Sequence, residues 1–221
     1  MKKALITGIT GQDGTYLAKF LLDKEYRVFG LVRKVANRSF ENLEYFGIKK
    51  KINLIDGDLT DEVALIKVVK KIKPDEVYNL AAQSFVGLSW KQPKLTMKVN
   101  ALGVLYLLEA IKNFSPKTKF YQASTGEMFG QSDKSGLRSE EAIFRPRSPY
   151  AIAKLYAYCL TNNYKESFDL FCCNGIMFNH ESPLRGRNFV TRKISEGVAK
   201  IKLGLAKEIT LGNLESKRDW G

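Results

Sequence analysis

The strongest constraint in this chain is an alternation: six short apolar runs are separated by segments whose apolar residues recur at helical spacing. The runs predict strands at Lys3–Thr7, Val28–Val32, Ile52–Asp56, Glu76–Leu80, Lys119–Ala123 and Leu170–Ile176. The segments between them predict helices near Gln12–Lys24, Asp61–Ile72, Leu95–Asn113 and Pro149–Ser167. Strands that are apolar along their whole length must be covered on both faces, and strand–helix alternation makes them parallel. The fold class is therefore α/β, a doubly wound parallel sheet. Two helix starts carry local signals. Thr60-Asp61-Glu62 is acidic at the positive end of its helix, and Ser148-Pro149 supplies an N-cap followed by the first helical position. Beyond Ile176 the pattern changes to a polar loop at Asn179–Gly186, a basic helix at Asn188–Leu205 and a short strand at Glu208–Gly212. The expected division is one domain over residues 1–178 and the beginning of a smaller one over 179–221. The stop at Lys217-Arg218-Asp219-Trp220-Gly221, without helices to close the second unit, reads as a fragment.

Composition narrows the class. Hydrophobic residues make up 44% and charged residues 27%, as in an ordinary globular chain. MKKALITG runs straight into a strand and a glycine turn, with no apolar leader and no run of membrane-spanning length. The expectation is a cytoplasmic chain without a membrane partner. The formal net charge of +13 comes from lysines dispersed over helices and turns, with no nucleic-acid motif. A solvated basic surface is expected, not a nucleic-acid partner, and a basic cleft would draw in phosphates. Cys159, Cys172 and Cys173 are odd in number, and two are adjacent, so reduced and buried packing thiols are expected. Neighbours on a strand point to opposite faces, which argues against a shared metal.

The residues that carry chemistry follow the predicted strands. Gly8-Ile9-Thr10-Gly11-Gln12-Asp13-Gly14 leaves the first strand and opens the first helix, a setting in which backbone amides and the helix dipole favour a dinucleotide pyrophosphate. The second strand ends in Val32-Arg33-Lys34, with Arg38 close behind. A carboxylate there would suit a ribose 2′-hydroxyl, whereas arginine suits a 2′-phosphate and so points to NADP. Asp58-Leu59 would sit beside the adenine. Tyr150 and Lys154 stand one helical turn apart on one face. A free tyrosine near pKa ~10 is too protonated to act as a base at neutral pH, and a neighbouring ammonium stabilises its phenolate. Ala123-Ser124-Thr125-Gly126-Glu127 adds a hydroxyl and a carboxylate. An elimination needs such a carboxylate to take a carbon-bound proton and return it to a leaving hydroxyl; hydride transfer alone does not. Each motif alone has a plain structural reading, since glycines make tight turns and loop glutamates are usually solvated. In parallel strands, however, Gly8, Arg33, Asp58, Ala81–Ser84, Ser124–Glu127 and Asn179 all follow carboxyl ends, where doubly wound sheets bind ligands.

On these residues the chain resembles the extended short-chain dehydrogenase/reductase superfamily, with its Rossmann-type fold, and within it the GDP-mannose 4,6-dehydratases. LITGITGQDGTYLAKFLL, VYNLAAQSFVGLSW, FYQASTGEMFG, PRSPYAIAKLYAY, FNHESPLRG, FVTRKI and LGNLESKRDWG carry the likeness, FNHESP and KRDWG most specifically. The resemblance implies NADP bound by Gly8, Ile9, Thr10, Gly11, Gln12, Asp13, Arg33, Asp58, Leu59, Leu80, Ala81, Ala82, Lys154, His180 and Arg185. It implies that Thr125 holds the sugar, Glu127 is the C5 acid/base and Tyr150, supported by Lys154, deprotonates the C4 hydroxyl. Ser84, Asn179, Lys193 and Arg218 would contact GDP-mannose. His180, the one histidine, would otherwise read as a structural hydrogen-bonder. The implied enzyme is a hydro-lyase giving GDP-4-keto-6-deoxymannose by internal hydride transfer from C4 to C6 with loss of water, working as a homo-oligomer, dimer or tetramer.

The chain departs from that family in three places. A Ser-rich segment common near Arg33 reads VANRSFENLEYF, the usual STSE reads Ser124-Thr125-Gly126-Glu127, and members continue beyond KRDWG into a substrate domain. A related dehydratase acting on a GDP-heptose, an epimerase or reductase, and a non-catalytic nucleotide-binding module remain alternatives. Glu127 beside Thr125 speaks against the epimerase and the reductase.

Overall fold

A computed structural model describes residues 1–36, 39–130, 139–215 and 220. It divides into two compact units, Met1–Met177 and Phe178–Gly221.

The first unit is built on β1 (Lys3–Thr7), β2 (Arg27–Val32), β3 (Asn53–Asp56), β4 (Glu76–Asn79), β5 (Lys119–Thr125) and β6 (Cys172–Met177). They form one sheet in the order β3-β2-β1-β4-β5-β6, and every pairing is parallel. The order reverses between β1 and β4, the position at which doubly wound sheets open a ligand crevice beyond their carboxyl ends. The helices are α1 (Gln12–Asp23), α2 (Glu41–Tyr45), α3 (Glu62–Ile72), α4 (Val86–Lys91), α5 (Pro93–Met97), α6 (Gly103–Phe114) and α7 (Pro149–Phe168).

Strand alternation divides the core in two. Leu5, Leu31, Val77 and Phe120 face a layer holding Leu65, Val69, Leu107, Ile111 and Tyr164 from α3, α6 and α7. Ala4, Ile6, Val28 and Val32 face the other way, onto Ala18 and Leu21 of α1 and Leu43 of α2. Both expected helix starts are capped by side chains. Asp61 accepts the Ala64 N–H at 2.9 Å and Ser148 accepts the Ala151 N–H at 3.1 Å. At the other ends, α3 and α7 stop on Lys73 and Asp169 in the left-handed region.

Several expectations need correction. The strands are not wholly apolar, because Thr7, Asn79 and Gln122 are buried in the sheet. The helix expected at Leu95–Asn113 begins earlier, at Pro93, and is interrupted by a π-helical turn at Lys98–Leu102. Short α2 and α4 lie below the length at which periodicity is visible in a sequence. Cys172 is buried, but Cys159 and Cys173 are exposed, and all three thiols are free. Cys173 follows Cys172 on the edge strand β6 and takes the opposite face.

The second unit contains α8 (Val190–Lys202). The strand expected at Glu208–Gly212 is irregular backbone. Its Ile209 packs directly on α8 at Gly197, where an added Cβ would stand 2.6 Å from the Ile209 side chain. The apolar residues of this segment are used against a helix and not in a ladder. Among the described residues no helix is long and apolar enough to cross a membrane.

Candidate active site

The glycine turn after β1 is made by backbone. Gly8 has φ +69°, and a Cβ there would stand 2.7 Å from the Ala81 nitrogen. A Cβ on Gly14 would overlap the Gly8 carbonyl oxygen and stand 2.7 Å from Ile9 Cα. Only bare backbone fits at either position. The Gly11 N–H donates to Gly8 O at 3.0 Å, and α1 then starts as the Thr15 N–H donates to Gly11 O at 3.1 Å. Gly11 is the N-cap and has no side chain to answer the leading amides of α1. Three supports hold the turn's outer side: Ile9 is buried, Thr15 Oγ1 donates to Ile9 O at 3.0 Å, and Asn42 Nδ2 donates to Thr10 O at 3.0 Å. Gln12 Nε2 reaches Asp13 Oδ1 at 3.3 Å within the first turn of α1. The turn has the close backbone, uncapped amides and positive dipole end that fit a pyrophosphate.

On the β2 and β3 side, Arg33 is exposed directly after β2. Arg38 lies outside the described residues. Asp58 folds back on its own loop, its Oδ1 accepting from both the N–H and the hydroxyl of Thr60 at 2.8 Å. Leu59 is buried beneath it. After β4 come half-buried Leu80, Ala81 and Ala82, then exposed Ser84. This loop is pinned twice. The Ala81 N–H donates to Thr7 Oγ1 at 3.1 Å, while Asn100 accepts the Gln83 N–H at 2.8 Å and donates to Gln83 O at 3.0 Å. Asn100 comes from the π-helical turn, a distortion that often marks functional sites.

The β5 side is made by side chains. Thr125 ends the strand, and its hydroxyl accepts the Glu127 N–H at 3.2 Å, starting the 3-10 turn Gly126–Phe129. Helix α7 packs against both β5 and this turn. It carries Tyr150, 9% exposed, and Lys154, 3% exposed, into the protein. Lys154 Nζ donates to Ala123 O at 2.8 Å and lies 6.0 Å from the centroid of the Tyr150 ring. Burial pushes the Lys154 ammonium down to about 8. Thr125, Glu127, Tyr150 and Lys154 thus gather around the carboxyl end of β5.

The remaining expected residues belong to the second unit. Asn179 forms a parallel bridge with Trp220. His180 Nδ1 stands 2.8 Å from Phe178 O, and because a carbonyl only accepts, Nδ1 carries the hydrogen. The Arg185 guanidinium stacks 3.6 Å from the centroid of Phe189, with Nε 3.2 Å from Glu181 Oε2. That approach is an ion pair without hydrogen-bond alignment, and Thr191 donates its hydroxyl to the same carboxylate oxygen. Lys193 is exposed on α8. Arg218 lies outside the described residues.

Sequence reasoning overlooked Asn79, Gln122 and Asn100, which support the site from beneath, and Glu181, which restrains Arg185. A signal was present for the first two: an amide inside each apolar run, EVYNL and KFYQAS, needs a buried partner.

A sequence model of the family described as GDP-mannose 4,6 dehydratase matches residues 5–221. The GDP-mannose 4,6-dehydratase of Yersinia enterocolitica is 51% identical over 228 residues, an alignment covering 100% of this chain and 61% of that protein. The chain therefore spans about three fifths of the length of the curated relatives it matches. Among solved structures, the Thermus thermophilus UDP-glucose 4-epimerase in complex with NAD superposes with a TM-score of 0.84 at 27% identity, covering 99% of this chain and 70% of the other. The RMD structure from Pseudomonas aeruginosa, complexed with NADPH, gives 0.77 at 26% identity, covering 100% and 67%. An unbroken match from the first strand to the last residue, on a parallel sheet with this carboxyl edge, makes the chain a member of the GDP-mannose 4,6-dehydratase family.

Proposed function

We propose that this chain carries the dinucleotide-binding and proton-transfer machinery of an NADP-dependent GDP-mannose 4,6-dehydratase. The observation that carries the reading is the buried Lys154 ammonium tied to Ala123 O beside Tyr150, on the strand end that also supplies Thr125 and Glu127. A charge kept in so dry a place is disfavoured unless it has work to do. The name of the Yersinia relative supports the substrate.

When bound, the dinucleotide supplies a hydride acceptor that later returns the hydride to the sugar. The amides of Gly8 to Asp13 and the dipole of α1 would hold its pyrophosphate, Arg33 a 2′-phosphate, Asp58 and Leu59 the adenine, and Leu80 to Ala82 the inner face. Both NAD and NADPH occur among the related structures, and Arg33 is the feature that favours NADP here. Tyr150 takes the proton of the C4 hydroxyl, and the Lys154 charge favours the phenolate that does so. Oxidation at C4 acidifies the neighbouring C5–H. Glu127 removes that proton and delivers one to the departing C6 hydroxyl, which leaves as water. Thr125 orients the sugar through its hydroxyl. By the family resemblance, Ser84, Asn179, Lys193 and Arg218 serve GDP-mannose, and His180 and Arg185 serve the dinucleotide.

The test is incubation with GDP-mannose and a trace of NADP, and with NAD in parallel, using both this chain and a chain extended to the length of its relatives. A 4-keto-6-deoxy product without net reduction of the dinucleotide is expected, faster with NADP. Net consumption of NADPH, or binding without turnover by the extended chain, overturns the reading. In Glu127→Gln, dinucleotide reduction should persist while product formation drops by about 100-fold or more, the scale of a lost general base. Undiminished product would remove Glu127 from the role of C5 base.

A further inference from the structure

Thr7, Asn79 and Gln122 are register partners on three adjacent strands: Thr7 pairs with Asn79 across β1 and β4, and Asn79 with Gln122 across β4 and β5. Their side chains are 0%, 1% and 1% exposed, on strands whose other buried residues are mostly apolar. We infer that Asn79 and Gln122 are positioning residues, links in a buried hydrogen-bond chain that fixes the anchor of Lys154 and ties it to the loop beside the glycine turn.

The chain can be followed atom by atom. The Ala81 N–H donates to Thr7 Oγ1 at 3.1 Å, and the Thr7 hydroxyl donates to Asn79 Oδ1 at 2.6 Å. Asn79 Nδ2 donates to Gln122 Oε1 at 2.7 Å, and Gln122 Nε2 donates to Ala123 O at 2.9 Å. Lys154 Nζ occupies the other lone pair of that carbonyl at 2.8 Å. The direction of every bond follows from one end. A carbonyl only accepts, so Gln122 must present Nε2 to Ala123 O, which turns Oε1 toward Asn79. Asn79 must then offer Nδ2 to Gln122 and Oδ1 to Thr7. Thr7 spends its hydrogen on Asn79 and is left with a lone pair for the Ala81 N–H. Reversing Gln122 sets its oxygen against Ala123 O, and reversing Asn79 sets its oxygen against Gln122 Oε1.

Such a chain is an expensive way to fill a core, since valine or leucine at these positions would pack without any polar atom to satisfy. What apolar residues could not do is specify one separation between two points. At one end is the loop whose Ala81 nitrogen lies 2.7 Å from the Cβ position of Gly8; at the other is the Lys154 ammonium. On the functional reading above, on which this inference rests, a dinucleotide is gripped at both. Gln122 touches neither substrate nor dinucleotide in this scheme and acts only through Lys154.

The experiment is a double-mutant cycle read by NADP affinity in isothermal titration calorimetry, with thermal melts reporting folding. Wild type, Gln122→Met, Lys154→Met and the double variant are compared. Gln122→Met and Lys154→Met should each weaken NADP by roughly 10-fold or more, the scale of one misplaced charge-assisted hydrogen bond. In the double variant the loss should exceed that of Lys154→Met by less than about twofold, because an anchor without its ammonium has nothing to position. Losses that multiply, or an unchanged affinity in Gln122→Met, overturn the inference while leaving the functional reading in place. Wild type that binds no NADP overturns both. Should Gln122→Met fail to fold, Asn79→Leu, which keeps roughly the same volume and has no donor for Gln122 Oε1, enters the same cycle under the same criterion.

Discussion

The two sides of the sheet's carboxyl edge are built by opposite means. After β1 the turn from Gly8 to Gly14 works by having almost no side chain: backbone meets backbone, and a methyl group would collide with Ala81 or with Gly8 itself. After β5, Thr125, Tyr150 and Lys154 are buried side chains, and Lys154 is a whole charge held in the interior. A backbone site leaves little to rearrange and tolerates almost nothing added. A side-chain site depends on partners beneath it, and its cost to the fold changes with pH. Function asks for both, because a pyrophosphate needs amides while proton transfer needs titratable groups.

The sharpest way to break this comparison is at the glycine turn. Gly14→Ala should weaken dinucleotide binding by about 100-fold or more and strain the fold by roughly 1–3 kcal/mol, because the new carbon meets backbone that can move only if the turn opens. Calorimetric titration reads the first effect and urea unfolding the second; a variant that binds normally would show that the turn does not hold the ligand.

Next in size is Lys154→Met, where the expectation runs the other way for stability. Burial holds the folded pKa at about 8 against an ordinary 10.5, so below pH 8 both states are charged and the full penalty, roughly 3 kcal/mol, falls on the fold. Between about 8 and 10.5 the unfolded chain binds more protons than the folded one, so wild-type stability rises with pH through that window. Lys154→Met should therefore be the more stable protein at pH 7, with an advantage that shrinks toward pH 10. Urea unfolding at both values tests this, and an advantage independent of pH would sink it.

The smallest effect sharpens the β5 side. Ser148→Ala removes the cap that sets the entry of α7 and should lower stability by about 1 kcal/mol. If Tyr150 is held by its own packing and not by that cap, dinucleotide affinity should stay within about twofold of wild type. A larger loss would mean that the helix start itself aims the phenol.

The same contrast explains what could be read in advance. Glycines between a strand and a helix are visible in a sequence because no other residue does their job, and the six parallel strands follow from apolar runs of the right length. Tyr150 and Lys154 were visible through helical spacing, and Thr125 and Glu127 through their place after a strand. Asn79 and Gln122 announced only that each amide needed a buried partner; which partner stayed hidden, because the two lie 43 residues apart in the chain. The short helices Glu41–Tyr45 and Val86–Lys91 were hidden by brevity. The strand expected at Glu208–Gly212 failed for a tertiary reason, since Ile209 found a helix to lie on.

The π-helical turn at Lys98–Leu102 takes up one residue more than an α-helical turn would. Beyond it, Val104, Leu107, Leu108 and Ile111 keep the rotation that seats α6 on the sheet; within it, Asn100 is rotated toward the Gln83 backbone. Loss of a single residue from the turn would restore a regular helix with both flanks still in phase, because the π-helical turn takes up that one residue more. The apolar stripe would keep its place, and what would be lost is the position that Asn100 takes within the turn, against the Gln83 backbone. The extra residue is what lets one continuous helical segment serve both a core and a loop that need different angles.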